Sequence, residues 1–380
     1  MCKKESALEN QSPPIKRSKG QWTRQKPKSN RAKATKNHPA VAATATATNS
    51  RERALLAVMD KESFLSDHFG DKRDPFAEEL AFGAMRWKIA LEKQIRASAK
   101  TGKMKRVTRW IIVLGLYERH FINKSPEYAK VNEWVALVKK YAPYQVGLVN
   151  ALLRTPDLKR PEHREAYPEE LHAQSHDVLE ILNTYPSPQA RRIGSGEFIT
   201  DFDVSTLSQD PSYYIQNPTP YNLMCHLAQH TQTPKRILDL CAAPGGKTLI
   251  LRDLYPEAHI DCFDISPLRL KRLMKNLEKY SVEAGIYTPE CAPYDLVVVD
   301  APCSGSGVMH KKPEARHRFD GIPELIKTQH ELIAQAKTLG KTVWYLTCSI
   351  LDRENHSGAH ARLQLPTREG LDGGYAAIMG

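Results

Sequence analysis

Two cysteines stand directly behind short apolar runs: Cys303 in "DAPCSGSG" (300–307), after "YDLVVV", and Cys348 in "TCSI" (347–350), after "TVWYL". A free thiol with a pKa of about 8.5 is a few per cent thiolate at neutral pH, and the thiolate is a strong nucleophile. Asp300 opens the first stretch, so two thiols and an acid make a set that can add to an electron-poor ring, answer the charge that develops and later move a proton. A lone cysteine is more often a small buried core thiol. Two at corresponding positions beside an acid argue for a site.

A third stretch, "LCAAPGGKT" (240–248), follows "RILD" and has the form of a loop that holds a ligand. A nucleotide phosphate loop needs glycine five residues before its last glycine, where this chain has Cys241. The dinucleotide pattern fails too, because Ala242, Ala243 and Pro244 fill the turn that needs glycine. Gly245 and Gly246 still let the backbone approach a ligand, and the helix start behind them can face a carboxylate. Asp264, eighteen residues past Gly246 and behind the next apolar run, is placed to accept hydrogen bonds from both hydroxyls of a ribose. A plain tight turn is the bland reading of the glycine pair. Together with Asp264 it points to a ligand with a ribose and a carboxylate, which S-adenosylmethionine has.

A methyl donor gives the thiols a task. C5 of cytosine becomes nucleophilic only when a thiolate adds to C6, with N3 protonated or hydrogen-bonded by an acid. A base must then remove the C5 proton so that the thiolate can leave, and a second thiol can assist there. Lys247 is a neighbouring cation that would raise the thiolate fraction.

These residues need elements to position them. From about Ile215, the runs "RILDL", "HIDCFDI", "YDLVVVD" and "TVWYLTC" alternate with the helical stretches "GKTLILRDLY", "PLRLKRLMKNLEKY" and "PELIKTQHELIAQAKTLG". Such alternation predicts an α/β fold with a doubly wound, largely parallel sheet, whose ligands sit beyond the carboxyl ends of the strands. Every residue singled out above falls there. If the usual order holds, the strands before Cys303 and Cys348 are neighbours, about 4.8 Å apart. Between Ser50 and Thr155, five stretches with apolar residues every three or four positions predict an all-α bundle. The expected division is a disordered basic tail (1–49), the bundle (50–156), a linker or small insert with one helix at Ala173–Leu182 (157–212), and the α/β domain (213–380).

The chain has 380 residues, enough for two full cores, and carries a net charge of +12. Its first 50 residues hold 11 Lys and Arg against two Glu, so most of the excess lies in the tail. Polyanion contact by the folded part therefore needs a local patch, and "HKKPEARHR" (310–318) is the candidate for phosphates, a solvated charged loop being its bland reading. Seven cysteines without a C-x-x-C pair argue against a disulfide framework and against zinc, so no metal and a reducing, cytoplasmic setting are expected. No apolar signal core follows the first charges and no run of 18 apolar residues occurs, so neither secretion nor a membrane span is expected. A monomer is the default.

Jointly and in this order, "LDLCAAPGGKT", "DAPCSGSG" and "TCS" resemble the motifs of the Nol1/Nop2/Sun family of S-adenosylmethionine-dependent RNA cytosine-5 methyltransferases. The helical part, with "EELAFGAMRW", "LGLYE", "VNEWVALVK" and "GLVNALLR", is similar to the NusB-like RNA-binding domain of the bacterial Sun/RsmB branch, which acts on small-subunit (16S) ribosomal RNA. The resemblance covers roughly residues 50–380. It implies that Cys348 adds to C6, that Cys303 serves product release and that Asp300 contacts the base. Cys241 to Lys247 and Asp264, with Asp300 beside them, would hold the cofactor. Glu290 is the candidate for the acid near the adenine, and a reduced RNA-recognition insert precedes the α/β domain. Transfer RNA as the substrate, or an RNA-binding ribosome-assembly factor without catalysis, are the alternative readings.

Overall fold

The computed structural model describes residues 47, 49–60, 65–69, 74–98, 104–122, 126–161, 187–355, 360–368 and 370–379. Residues 1–46 of the basic tail and the helix expected at Ala173–Leu182 lie outside them.

The five periodic stretches form α1 (Ser50–Met59), α2 (Pro75–Ser98), α3 (Arg106–Phe121), α4 (Glu127–Tyr141) and α5 (Val146–Arg154). Asn49 caps α1 by accepting the Glu52 amide at 2.8 Å, which satisfies one donor that a helix start leaves open. The central helix α3 is buried without a break from Trp110 to Glu118. It packs Ile111, Ile112, Leu114 and Leu116 against Leu55, Leu80, Leu91 and Trp134, each large side chain worth about 1.5–3 kcal/mol of apolar burial. Two acids, Glu52 and Glu118, are buried in the described part of the bundle. Glu118 is compensated there by Arg51, whose nitrogens donate to it at 2.9 and 2.6 Å, and by the Trp134 indole at 2.8 Å.

The segment expected as a linker or small insert carries more structure than its sequence suggests. Strands β1 (Ala190–Arg192), β2 (Phe198–Ile199) and β3 (Tyr213–Ile215) form an antiparallel sheet in the order β2-β1-β3, with the short helix α6 (Val204–Leu207) between β2 and β3. Strands of two or three residues are too short for an alternating pattern to register.

The α/β part then runs α7 (Pro218–Gln229), β4 (Arg236–Asp239), α8 (Gly246–Leu254), β5 (His259–Cys262), α9 (Pro267–Lys279), β6 (Gly285–Ile286), β7 (Tyr294–Asp300), α10 (Ile322–Leu339), β8 (Gly340–Thr347), β9 (His360–Leu365) and β10 (Gly374–Met379). One sheet holds seven strands in the order β6-β5-β4-β7-β8-β10-β9. β6 to β8 are parallel, whereas β10 runs antiparallel to both β8 and β9. This is the doubly wound, largely parallel sheet expected, preceded by the expected all-α bundle. Leu296 to Val299 are wholly buried because helices cover both faces of a central parallel strand. The chain leaves β4 toward β5 on one side and reaches β7 on the other, so a crevice opens where the carboxyl ends of β4 and β7 diverge.

The hairpin of β9 and β10 was not foreseen. Glycine and alanine in "GYAAIM" have little strand propensity, and tertiary packing supplies what the local sequence lacks. The turn into β10 presses on the loop behind β7: Gly373 N donates to Gly307 O at 2.9 Å, and Gly307 N donates to Cys348 O at 3.0 Å. A Cβ on Gly307 would lie 2.4 Å from the Gly373 carbonyl oxygen. Among the described residues no helix is long and apolar enough to cross a membrane.

Gly307→Ala should therefore lower stability by about 1–3 kcal/mol, since two backbones in contact have no side chain to swing aside. Denaturant unfolding checks this, and an unchanged midpoint would show that hairpin and loop are not packed.

Candidate active site

The loop from Cys241 to Lys247 is built by its neighbours. Phe263 N donates to Asp239 O at 2.8 Å and Ala242 N to Phe263 O at 2.9 Å, so the ends of β4 and β5 are laced together. Arg269 and Asn276 on α9 donate to the carbonyls of Ala243 and Pro244, each at 2.7 Å. Ala242 and Ala243 are buried and Pro244 is exposed. Gly245 takes φ of 111°, a left-handed conformation that suits glycine, and a Cβ on Gly246 would lie 3.0 Å from the Tyr214 ring. Burial pushes the Cys241 thiol well up, with Asp300, Asp239 and Asp264 adding to it, so this cysteine is held neutral.

Two carboxylates at strand ends lack donors. Asp239 is fully buried; its Oδ2 accepts the Thr248 hydroxyl at 2.8 Å, while its Oδ1 has no hydrogen-bond partner. Burial pushes the Asp239 carboxyl up to about 7. Asp264 is 5% exposed, its Oδ1 accepts the Ser266 amide at 3.0 Å, and Arg269 approaches its Oδ2 at 3.3 Å without the angle of a hydrogen bond. Unpaired buried acceptors at the ends of β4 and β5 suit a ligand that brings hydroxyl and ammonium donors. Glu290 does not join them, being exposed on a single turn (Pro289–Cys291) whose Cys291 carbonyl accepts from Arg236 at the amino end of β4.

Across the crevice, Lys247 Nζ lies 2.7 Å from Asp300 Oδ2. Burial disfavours the charge on Lys247, but Asp300, with Cys348 and Asp239 behind it, more than offsets this and holds the ammonium above its ordinary pKa. Because β7 and β8 pair in parallel, with Asp300 opposite Leu346, the loops behind them run side by side. Cys303 Sγ lies 3.2 Å from Cys348 Sγ. The shared hydrogen bond lowers the Cys348 pKa; burial opposes this, Lys312 and Lys247 add to it and Asp300 subtracts from it. The same bond, with burial and the nearby Glu354 carboxylate, raises Cys303. The hydrogen bond between the two sulfurs thus acts in opposite directions on the two thiols.

Lys247, Asp300, Thr347 and Cys348 line a cleft together with Thr219, Asp372 and Gly373. Asp372 passed unnoticed in the sequence. His310 Nε2 holds it at 2.8 Å and Lys311 Nζ at 2.9 Å, and these two contacts offset burial and keep its carboxyl below the usual range. The stretch 310–318, the candidate patch for phosphates, is only partly at the surface, with Lys311, Lys312, His317 and Arg318 half-buried. His310, Glu314 and Arg316 are buried. Glu314 Oε1 accepts Leu65 N at 3.2 Å, Arg86 donates to His310 O at 3.3 Å and the His317 ring donates to Met85 O at 3.3 Å, so the stretch docks the helical bundle onto the site loop. Burial lowers His317 to about 3, which keeps it neutral in that contact. Composition showed the charges but not the surface that covers them.

Residues 226–371 match the family described as 16S rRNA methyltransferase RsmB/F, and residues 29–156 match the NusB family. The chain is 28% identical to ribosomal RNA small subunit methyltransferase B of Escherichia coli (strain K12), over 79% of this chain and 84% of that protein. It is likewise 28% identical to the protein of the same name from Yersinia pseudotuberculosis serotype O:3 (strain YPIII), over 82% and 88%. The crystal structure of PH0851 superposes with a TM-score of 0.64 at 17% identity, covering 92% of this chain and 97% of that one, which shows a shared fold.

Asp239 gives the fold a pH dependence of its own. Its folded pKa of about 7 stands above its ordinary 3.8, so the stability tied to its proton is present in acid and is lost as pH rises through 7. Asp239→Asn carries no such proton, and denaturant unfolding between about pH 4 and pH 8 should show a flatter fall for the variant than for the parent. Equal slopes would mean that this carboxyl is not buried as described.

Proposed function

We propose that the chain, whose residues 226–371 match the RsmB/F methyltransferase family and whose residues 29–156 match the NusB family, methylates C5 of a cytosine in RNA, with small-subunit (16S) ribosomal RNA as substrate and S-adenosylmethionine as donor. The observation that carries the chemistry is the 3.2 Å contact of Cys303 with Cys348, which itself lines a cleft together with Asp300 and Lys247. The residues fit the cofactor: the close backbone at Gly245 and Gly246 and the unpaired acceptors of Asp239 and Asp264 leave open what a ribose, an amino group and a carboxylate would occupy. Loop residues 241–247 and Asp264 hold it. When bound, it supplies a sulfonium methyl as the electrophile.

Cys348 acts first. Its thiolate forms a bond to C6, and the π electrons of the C5–C6 bond move to C5, which becomes the nucleophilic carbon. Asp300 contacts the base, and the Lys247 ammonium beside it supplies the proton that Asp300 passes to N3, so the negative charge spread toward N3 is neutralised and the proton returns when the ring is restored. After methylation Cys303, having released its own proton to solvent once the Cys348 sulfur is a thioether, takes the C5 proton; the electron pair of that C–H bond restores the C5–C6 double bond, and the sulfur–C6 bond breaks to return the Cys348 thiolate. The NusB-family domain, docked on the site loop through Glu314 and His317, presents the RNA from one side.

Cys348→Ala should reduce methyl transfer by roughly a thousandfold or more, because nothing else activates C5. Cys303→Ala should instead accumulate protein covalently joined to RNA, seen as a denaturant-resistant band. Bisulfite mapping of host RNA with and without the gene identifies the modified cytosine and separates ribosomal from transfer RNA. A purified protein that binds RNA but modifies none of it would replace this reading by that of an assembly factor.

A further inference from the structure

The two thiols are of one residue type, half-buried and in mutual contact, so groups outside the pair must decide which one carries the charge. Cys348 is faced by Lys247 on α8, by Lys312 in the loop behind β7 and by Asp300 at the end of β7. Cys303 is faced by Glu354 and by Tyr345 of β8. Glu354 is unlike the others. It is 1% exposed on the single turn Asp352–Glu354, and among the described residues no cation is paired with it.

Its oxygens reach both cysteine loops. Oε1 accepts the backbone N–H of Ser304, the residue after Cys303, at 2.8 Å, and Gln329 Nε2 of α10 at 3.1 Å. Oε2 accepts the hydroxyl of Ser349, the residue after Cys348, at 2.6 Å. Gln329 also donates to Pro302 O at 2.9 Å, and Ser349 Oγ lies 3.0 Å from Ser306 Oγ, so loop, helix and strand end are tied at one carboxylate. An amide could make the same three bonds, accepting from Ser304 and Gln329 and donating to the Ser349 hydroxyl. The charge thus exceeds what the clamp requires, and burying an unpaired charge is costly. Its distinct effect is electrostatic: a buried negative charge beside Cys303 disfavours a second one there and leaves the negative charge to Cys348.

We propose that Glu354 is a positioning residue, which holds both cysteine loops in one register and, by its charge, makes Cys303 the hydrogen-bond donor and Cys348 the acceptor of the pair. This rests on the reading of Cys348 as nucleophile. It deepens that reading by naming what distinguishes two otherwise equal thiols.

The test is alkylation of the full chain by limiting iodoacetamide across pH, with initial rates at each thiol read by peptide mass spectrometry. In the parent, Cys348 should titrate below Cys303 and be alkylated roughly tenfold faster near neutrality. Glu354→Gln should shrink that preference by roughly fivefold, through faster reaction at Cys303. Glu354→Asp, which keeps the charge on a shorter arm, should restore the order of the thiols. An unchanged preference in folded Glu354→Gln would overturn the proposal, and so would a parent protein in which Cys303 titrates first, a result that requires no variant to fold. Loss of methyl transfer in both variants with the thiol preference intact would reduce Glu354 to a clamp and refute the charge assignment. The expected thiol order in a parent protein that methylates no RNA would count against the proposed function alone.

Discussion

The in-register parallel pairing of β7 with β8 is the constraint on which the site depends. Asp300 opposite Leu346 fixes how far each strand runs before its loop begins. A slip of one residue would turn alternate side chains to the other face of the sheet and carry one sulfur away from the other. The register is secured by wholly buried side chains on both strands, Leu296 to Val299 on one and Trp344 and Tyr345 on the other. Burial of apolar surface therefore holds two sulfur atoms at hydrogen-bonding distance.

Around that scaffold the ionisable groups fall into two kinds. Lys247 with Asp300, and Asp372 with His310 and Lys311, are paired across the walls of the cleft, and their charges are answered where they stand. Asp239 and Asp264 are not fully answered, and each keeps an oxygen without a donor. A protein retains such a deficit where something else supplies the missing bonds. The first kind frames the reacting thiols, and the open acceptor oxygens of Asp239 and Asp264 mark the pocket behind them.

The helical bundle bears on the same loop. The stretch 310–318 leaves Cys303 behind and at once meets α2 and the residues before it, through Met85, Arg86 and Leu65. On its other side the loop is held by Gly373 and Thr367 from the hairpin of β9 and β10. Bundle, loop and hairpin thus share contacts across long stretches of sequence, and a change in how the bundle is held reaches the thiols within a few residues.

The sequence by itself determined the element types and the order of the chemistry. Five helical periods, four apolar strand runs and the residues just behind them were all legible, because helix and strand periodicity and glycine-containing turns are local properties. Only the tertiary structure decided the rest. β10 is strand because it pairs with β8, not because "GYAAIM" favours strands. The basic stretch 310–318 buries His310, Glu314 and Arg316 because it packs against residues of the bundle distant in sequence. Glu354 and Asp372 matter because folding brings them to loops far from them in sequence. Periodicity reports which face of an element is apolar; which distant group answers a buried charge depends on packing that no local pattern encodes.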